Sequence, residues 1–220
     1  MRNFFIIANW KSHKDSVQAK DWLGQLAHLS SHDITLILCP PFTLLQELNT
    51  LIKQHNFPIH IGAQDISPFN EGPYTGEVSG EQIREFAEYV LVGHSERRML
   101  LGESDALIAE KVARALENKL TPIFFMQNIA TPIPQGVTIV VYEPASAIST
   151  VSNGVGVDPQ EVEKVAQEIK KTYNIHYVLY GGSVSPENIG TYKKLPSVDG
   201  VIPGKASLDP KQFTQIVNNV

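Results

Sequence analysis

A polar residue stands at the end of one apolar run after another. Asn9 closes FFIIAN (4–9) and Lys11 follows it, Gln64 closes IHIGAQ (59–64), His94 closes YVLVGH (89–94) and Glu143 closes VTIVVYE (137–143). Gly181 and Gly182 end HYVLYGG (176–182), Ser183 follows, and Gly204 ends DGVIPG (199–204). An amine, an imidazole, a carboxylate and two glycine turns are the parts of an acid/base site that binds an oxyanion. The carboxylate moves a proton, the ring and the ammonium face developing negative charge, and turn amides hold an anion without adding a titratable group. Each residue alone has a plainer reading: a solvated lysine, a structural histidine, a Glu-Pro strand end, a Gly-Gly-Ser turn. Their shared place at one end of successive runs favours the chemical reading. A metal site suits His94 less well, because no second histidine or cysteine stands at zinc-motif spacing.

Delivering such groups to one rim requires elements that all point the same way. Eight short runs recur, the others being ITLILC (34–39) and PIFFMQ (122–127). Several are almost continuously apolar, as parallel strands covered on both faces are. Between them, Val162, Val165, Ala166, Ile169 and Tyr173, and later Phe213, Ile216, Val217 and Val220, recur at helical spacing. Asp158-Pro159 and Asp209-Pro210 supply a capping carboxylate followed by proline at the first helical position. Eight strands with intervening helices leave an open doubly wound sheet or a (β/α)8 barrel, and the count favours the barrel, with its active site at the C-terminal strand ends. One unit is irregular: NIATPIPQG (128–136) holds two prolines and has no room for a full helix, so the helix after strand five is expected to be missing or shortened. With no linker or repeat to divide it, the chain reads as a single domain over residues 1–220.

The 220 residues are 42% apolar, enough for a substantial core. A net charge of −5 offers no basic stripe, so neither nucleic acid nor an acidic membrane surface is an expected partner. No apolar run approaches the ~20 residues that span a bilayer. Cys39 is the only cysteine and cannot form an internal disulfide, and the apolar stretch in MRNFFIIANWK is too short for a signal peptide. The expectation is a cytoplasmic protein in a reducing compartment.

ANWK (8–11), GAQDIS (62–67), YTGEVS (74–79), VGHSERR (92–98), GESDALIAEKVARAL (102–116), YEP (142–144), YGGSV (180–184) and GKASL (204–208) resemble the triosephosphate isomerase family in order and near its spacing. The resemblance runs over nearly the whole chain, and together the motifs are highly specific. It implies a TIM barrel that interconverts dihydroxyacetone phosphate and glyceraldehyde 3-phosphate with no metal or organic cofactor. Glu143 would carry the proton between adjacent carbons. His94 and Lys11 would stabilise the enediolate, Glu96 would pair with Lys11, and Asn9 would orient the lysine and the substrate. This family is itself the standard case of a histidine held neutral by a helix N-terminus; SERR (95–98) opening a helix would do that for His94. Backbone amides of Gly182, Ser183 and Gly204, with Ser149 in a lid after Glu143, would hold the phosphate. Thr75 would tip a loop, PYTGE (73–77), that projects into a second copy and makes a homodimer.

The chain also departs from the family. EPASAISTVSNGVGVDP (143–159) has Ser146 where tryptophan is usual and Ser149 where glycine is usual, and is about three residues longer. VIPGKAS puts Pro203 before Gly204 and Lys205 after it. Pro203 removes an amide donor; Lys205 keeps its amide and either brings an ammonium toward the phosphate or crowds the pocket. FMQN (125–128) replaces the usual Cys-Ile-Gly-Glu, with Asn128 standing in for a carboxylate. These changes point to lowered activity or stability more than to new chemistry. A phosphosugar-binding barrel with weakened turnover, or a related phosphosugar isomerase or epimerase, stays open beside the main reading.

Overall fold

Side chains along a strand point alternately to its two faces, and this chain uses that period to build two cores. In the first run Phe5 and Ile7 join Leu91, Phe125, Val141 and Leu179 in one buried cluster, while Phe4, Ile6 and Ala8 join a larger one with helix residues. The computed structural model describes residues 3–26, 33–144, 146 and 157–220. Eight parallel strands pair in chain order: β1 (Phe4–Asn9), β2 (Ile34–Cys39), β3 (Ile59–Ala63), β4 (Tyr89–Val92), β5 (Thr121–Met126), β6 (Ile139–Tyr142), β7 (Tyr177–Tyr180) and β8 (Gly200–Val201). β8 returns to pair with β1, closing the barrel. The smaller cluster fills its interior, and the larger one lies between its outer wall and the helices.

Those helices are α1 (Ser16–Gly24), α2 (Leu45–His55), α3 (Gly80–Arg84), α4 (Ser95–Leu100), α5 (Asp105–Glu117), α6 (Pro159–Tyr173), α7 (Ile189–Lys193) and α8 (Pro210–Asn218). Asp158 caps α6 by accepting from the Gln160 N–H at 2.9 Å, and Asp209 caps α8 by accepting from Lys211 at 2.8 Å. α4 and α5 both follow β4, whereas no helix separates β5 from β6. There Ile129 and Ile133 pack against the outer core without helical structure, and the Tyr173 hydroxyl of α6 donates to the Ile129 carbonyl at 2.7 Å.

Five strands, β3, β4, β6, β7 and β8, are shorter than the runs that hold them, and β4 and β8 show why. β4 stops at Val92 because Gly93 takes φ +78°, which leaves the strand region. β8 keeps only Gly200 and Val201 of the expected 199–204, consistent with Pro203 having no N–H to offer a ladder.

Candidate active site

Alternation explains why two of the polar residues face the barrel mouth. The inward series Phe5, Ile7 continues to Asn9, and Ile139, Val141 continues to Glu143, each at the C-terminal end of its strand. His94 breaks that alternation: the inward series Tyr89, Leu91 would continue to Gly93. The positive φ of Gly93 turns the chain, and the His94 ring packs on the interior Phe125 with centroids 4.8 Å apart. Arg98 secures the turn by donating from Nε to the Gly93 carbonyl at 2.9 Å.

His94 is also the residue that caps α4. Its Nδ1 accepts from the Glu96 N–H at 3.2 Å. A ring nitrogen that accepts cannot carry the proton, so the neutral tautomer has its hydrogen on Nε2. Nε2 lies 3.4 Å from Glu143 Oε1. Burial pushes the His94 pKa below its ordinary value; the Glu143 carboxylate opposes this and the Lys11 ammonium adds to it. The ring is thus kept as an uncharged donor aimed at the carboxylate. Glu143 is 5% exposed, and its other oxygen accepts from the Ser95 N–H at 3.2 Å.

Lys11 sits with φ +51°, a left-handed conformation that costs a non-glycine residue roughly 1–3 kcal/mol unless its surroundings impose it. They do so from both sides. Asn9 Oδ1 accepts from the Lys11 N–H at 3.0 Å, and Gln64 Nε2 donates to the Lys11 carbonyl at 2.8 Å while holding the Cys39 carbonyl at 2.9 Å. The side chain ends at Glu96, with Nζ 2.6 Å from Oε1. At 27% exposure the ammonium keeps part of its surface toward solvent.

Both glycine turns border this cluster. A Cβ at Gly181 would lie 3.4 Å from Glu143 Cβ, and one at Gly204 would lie 3.8 Å from Lys11 Cε. Trp22 Nε1 and Lys14 Nζ donate to the carbonyls of Ser207 and Leu208, and the Ser207 hydroxyl donates to the Gly204 carbonyl at 2.6 Å. The turn after β8 is therefore anchored despite Pro203. Gly182 and Ser183 are half-buried, and the Ser183 carbonyl accepts from Asn188 Nδ2 at 2.9 Å.

Asn9, Lys11, His94, Glu96 and Glu143 thus converge on one rim, with Gly182, Ser183 and Gly204 alongside. Lys205 opens a short 3-10 turn, Lys205–Leu208, and is exposed. Thr75 is exposed in its loop. Ser149 lies outside the described residues, while Ser146 is exposed. Asn128 does not substitute for a buried carboxylate: its Oδ1 accepts from the Ala130 N–H in an exposed local turn. Sequence reasoning gave no role to Gln64, although its place at the end of β3 was visible, nor to the Ser95 N–H. It also missed a buried charge cluster behind α4. Lys111 Nζ donates to both Asp65 oxygens at 2.8 Å and to Glu103, and Arg97 reaches Asp65 and Glu103 at 2.7 Å each. A signal existed, since Lys111 falls on the apolar stripe Ile108, Val112, Ala115 of α5. Among the described residues no group of three or more His, Cys, Asp or Glu side chains is placed to hold a metal ion.

This arrangement can be compared with known proteins. The family model described as triosephosphate isomerase matches residues 4–220. The chain is 32% identical to a triosephosphate isomerase of Thermus thermophilus, covering 99% of this chain and 98% of that protein. It is 34% identical to one from Moorella thermoacetica, over 99% of both chains. To one from Nostoc punctiforme it is 35% identical, over 99% of this chain and 98% of the other. With its barrel, its rim and its full length matched, the chain belongs to the triosephosphate isomerase family.

Proposed function

We propose that this barrel interconverts dihydroxyacetone phosphate and glyceraldehyde 3-phosphate by proton transfer through an enediolate. The observation that carries the reading is the meeting of Glu143, His94 and the Lys11–Glu96 pair, with His94 Nε2 3.4 Å from the Glu143 carboxylate. Glu143 takes the proton from one carbon and returns it to the next. Reaching that carbon exchanges its Ser95 N–H contact for the substrate. Meanwhile His94 Nε2 gives its proton to one substrate oxygen and takes back the hydroxyl proton of the other, so that carbonyl and hydroxyl exchange places. The Nε2–H of His94 and the Lys11 ammonium stabilise the negative charge that develops on the substrate oxygens, the kind of electrostatic assistance that usually dominates catalysis. An uncharged ring suits this work because its pKa is better matched to the enediolate oxygens than an imidazolium's. Glu96 holds the ammonium in place, and Asn9 fixes the Lys11 backbone.

The amides of Gly182, Ser183 and Gly204 hold the phosphate away from the reacting carbons, with Ser149 and Lys205 as further contacts. The enzyme works as a single-domain barrel in the cytoplasm, where the buried Cys39 thiol stays reduced; among the described residues no helix is long and apolar enough to cross a membrane. It pairs as a homodimer through the loop around Thr75. In support, Phe69 and Tyr74 stack at 4.1 Å on that loop while about two-fifths exposed, and Met99, Leu100 and Leu101 are also exposed.

A coupled assay with glyceraldehyde 3-phosphate tests the chemistry. Glu143→Gln lowers kcat by about a thousandfold, within the span of a lost general base. A purified parent protein with no rate above that variant would remove the enzymatic reading and leave a phosphosugar-binding barrel.

A further inference from the structure

We infer that Tyr192 is a positioning residue for the phosphate end of the site, acting through Tyr180 on the Gly181-Gly182-Ser183 turn; this rests on the proposal that the turn binds the phosphate. Tyr180 ends β7 and is fully buried, and Tyr192 lies on α7 with 3% exposure. Their rings stack with centroids 4.6 Å apart and planes at 28°. The two hydroxyls share a hydrogen bond. Tyr180 Oη also accepts from the Val157 N–H at 3.3 Å.

The same oxygen presses on the turn. A Cβ at Gly182 would stand 2.0 Å from Tyr180 Oη, so any tilt of that ring moves Gly182 backbone rather than a yielding side chain. α7 grips the turn at a second point, because Asn188 just before it donates to the Ser183 carbonyl at 2.9 Å. One short helix therefore fixes two consecutive residues of the turn, Ser183 directly and Gly182 through Tyr180. An aliphatic side chain at position 192 would fill the volume yet leave Tyr180 Oη without its Tyr192 partner. Oxyanion binding by amides is sensitive to displacements of tenths of an ångström, so the loss falls on phosphate affinity.

The test is Tyr192→Phe, which keeps the ring stack and removes the hydroxyl that pairs with Tyr180. The KM for glyceraldehyde 3-phosphate and the Ki for inorganic phosphate as a competitive inhibitor both rise about three- to tenfold, as the loss of one buried hydrogen bond allows, while kcat stays within about twofold. Tm falls by no more than about 4 °C. Tyr180→Phe, which also removes the Val157 bond, gives at least the same KM and Ki effect, and the double variant is no worse than Tyr180→Phe alone, since Tyr192 acts through that hydroxyl. Unchanged KM and Ki in Tyr192→Phe, or additive losses in the double variant, would overturn the role of Tyr192. If inorganic phosphate fails to compete even in the parent enzyme, the phosphate reading of the turn is what fails, and the inference goes with it.

Discussion

Helix α4 separates two clusters of charge that obey opposite rules. On one side Glu96 leads to Lys11, His94 and Glu143; on the other, the next residue, Arg97, joins Asp65, Glu103 and Lys111. The second cluster is more nearly closed: Lys111 is 3% exposed, both Asp65 oxygens accept hydrogen bonds from it, and Arg97 bridges the two carboxylates, with the buried Glu103 Oε2 left without a hydrogen-bond partner among the described residues. Two cations and two anions compensate each other, as buried charges must. The first is open by comparison. Its imidazole and carboxylate stand 3.4 Å apart, Lys11 keeps one strong partner and partial exposure, and its backbone carries strain. Chemistry needs hydrogen-bonding capacity left for a substrate, whereas rigidity is served by charges that pair with one another. The closed cluster ties β3, α4 and α5 together, so that the open one can remain unsaturated without losing its geometry.

If that division holds, each cluster breaks in its own way. Lys111→Met leaves Asp65 and Glu103 short of a buried partner and should cost about 3–5 kcal/mol of stability, the usual penalty for breaking a buried ion pair. For a chain of this size the Tm drops by about 6–20 °C. At low temperature, where it stays folded, the variant loses less kcat than Glu143→Asp does, since Lys111 touches no reacting atom and acts only through the position of α4. A Lys111→Met protein with an unaltered Tm would show that the closed cluster holds nothing. Glu143→Asp should do the reverse. Pulling the carboxylate back by ~1 Å lowers kcat about a hundredfold, while Tm moves by no more than about 3 °C. An unchanged rate would remove Glu143 from the role of base.

Local sequence carried the outline of this division and not its closed half. The barrel was legible because eight apolar runs alternate with helical stripes, and Asp158-Pro159 and Asp209-Pro210 announce helix starts that the structure caps as expected. The missing helix after β5 was legible because prolines in 128–136 cannot supply its hydrogen bonds. Asn9 and Glu143 could be placed because strand parity continues past the last apolar residue. What parity could not give was His94, whose direction depends on one φ angle at Gly93. Nor could it give contacts between distant residues: Lys111 meets Asp65 across 46 positions, and Gln64 meets Lys11 across 53. Such pairs are set by how layers stack, which no window of sequence contains. The Lys11–Glu96 pair that family resemblance implied is present, Nζ standing 2.6 Å from Oε1. Ser149 falls outside the described residues, so the departure there remains a feature of sequence alone.

A smaller effect sharpens the contrast through pH. The folded pKa of His94 lies below its ordinary value of 6.5, chiefly through burial. As pH falls through that ordinary value the unfolded chain takes up the proton first, so stability declines until the folded value is passed. Above both values the group contributes no pH dependence. His94→Gln removes this one titration, and the loss of stability between about pH 7 and pH 5 should become shallower, by at most about 1.4 kcal/mol per pH unit. Denaturant unfolding across that range measures it. Parallel slopes for parent and variant would mean that His94 is not held neutral by its surroundings.

The smallest effect is a control for the largest. Ser104 neighbours Glu103 and caps α5 by accepting from the Leu107 N–H at 3.2 Å, yet it belongs to neither cluster. Ser104→Ala removes that cap and should cost about 1 kcal/mol, a Tm change of roughly 2–4 °C, with kcat unaffected. If it costs as much as Lys111→Met, the start of α5 and not the charge cluster fixes the ground on which α4 stands. A small cost beside a large one assigns the difference to the charge cluster, because the two substitutions act on the same helix about two turns apart.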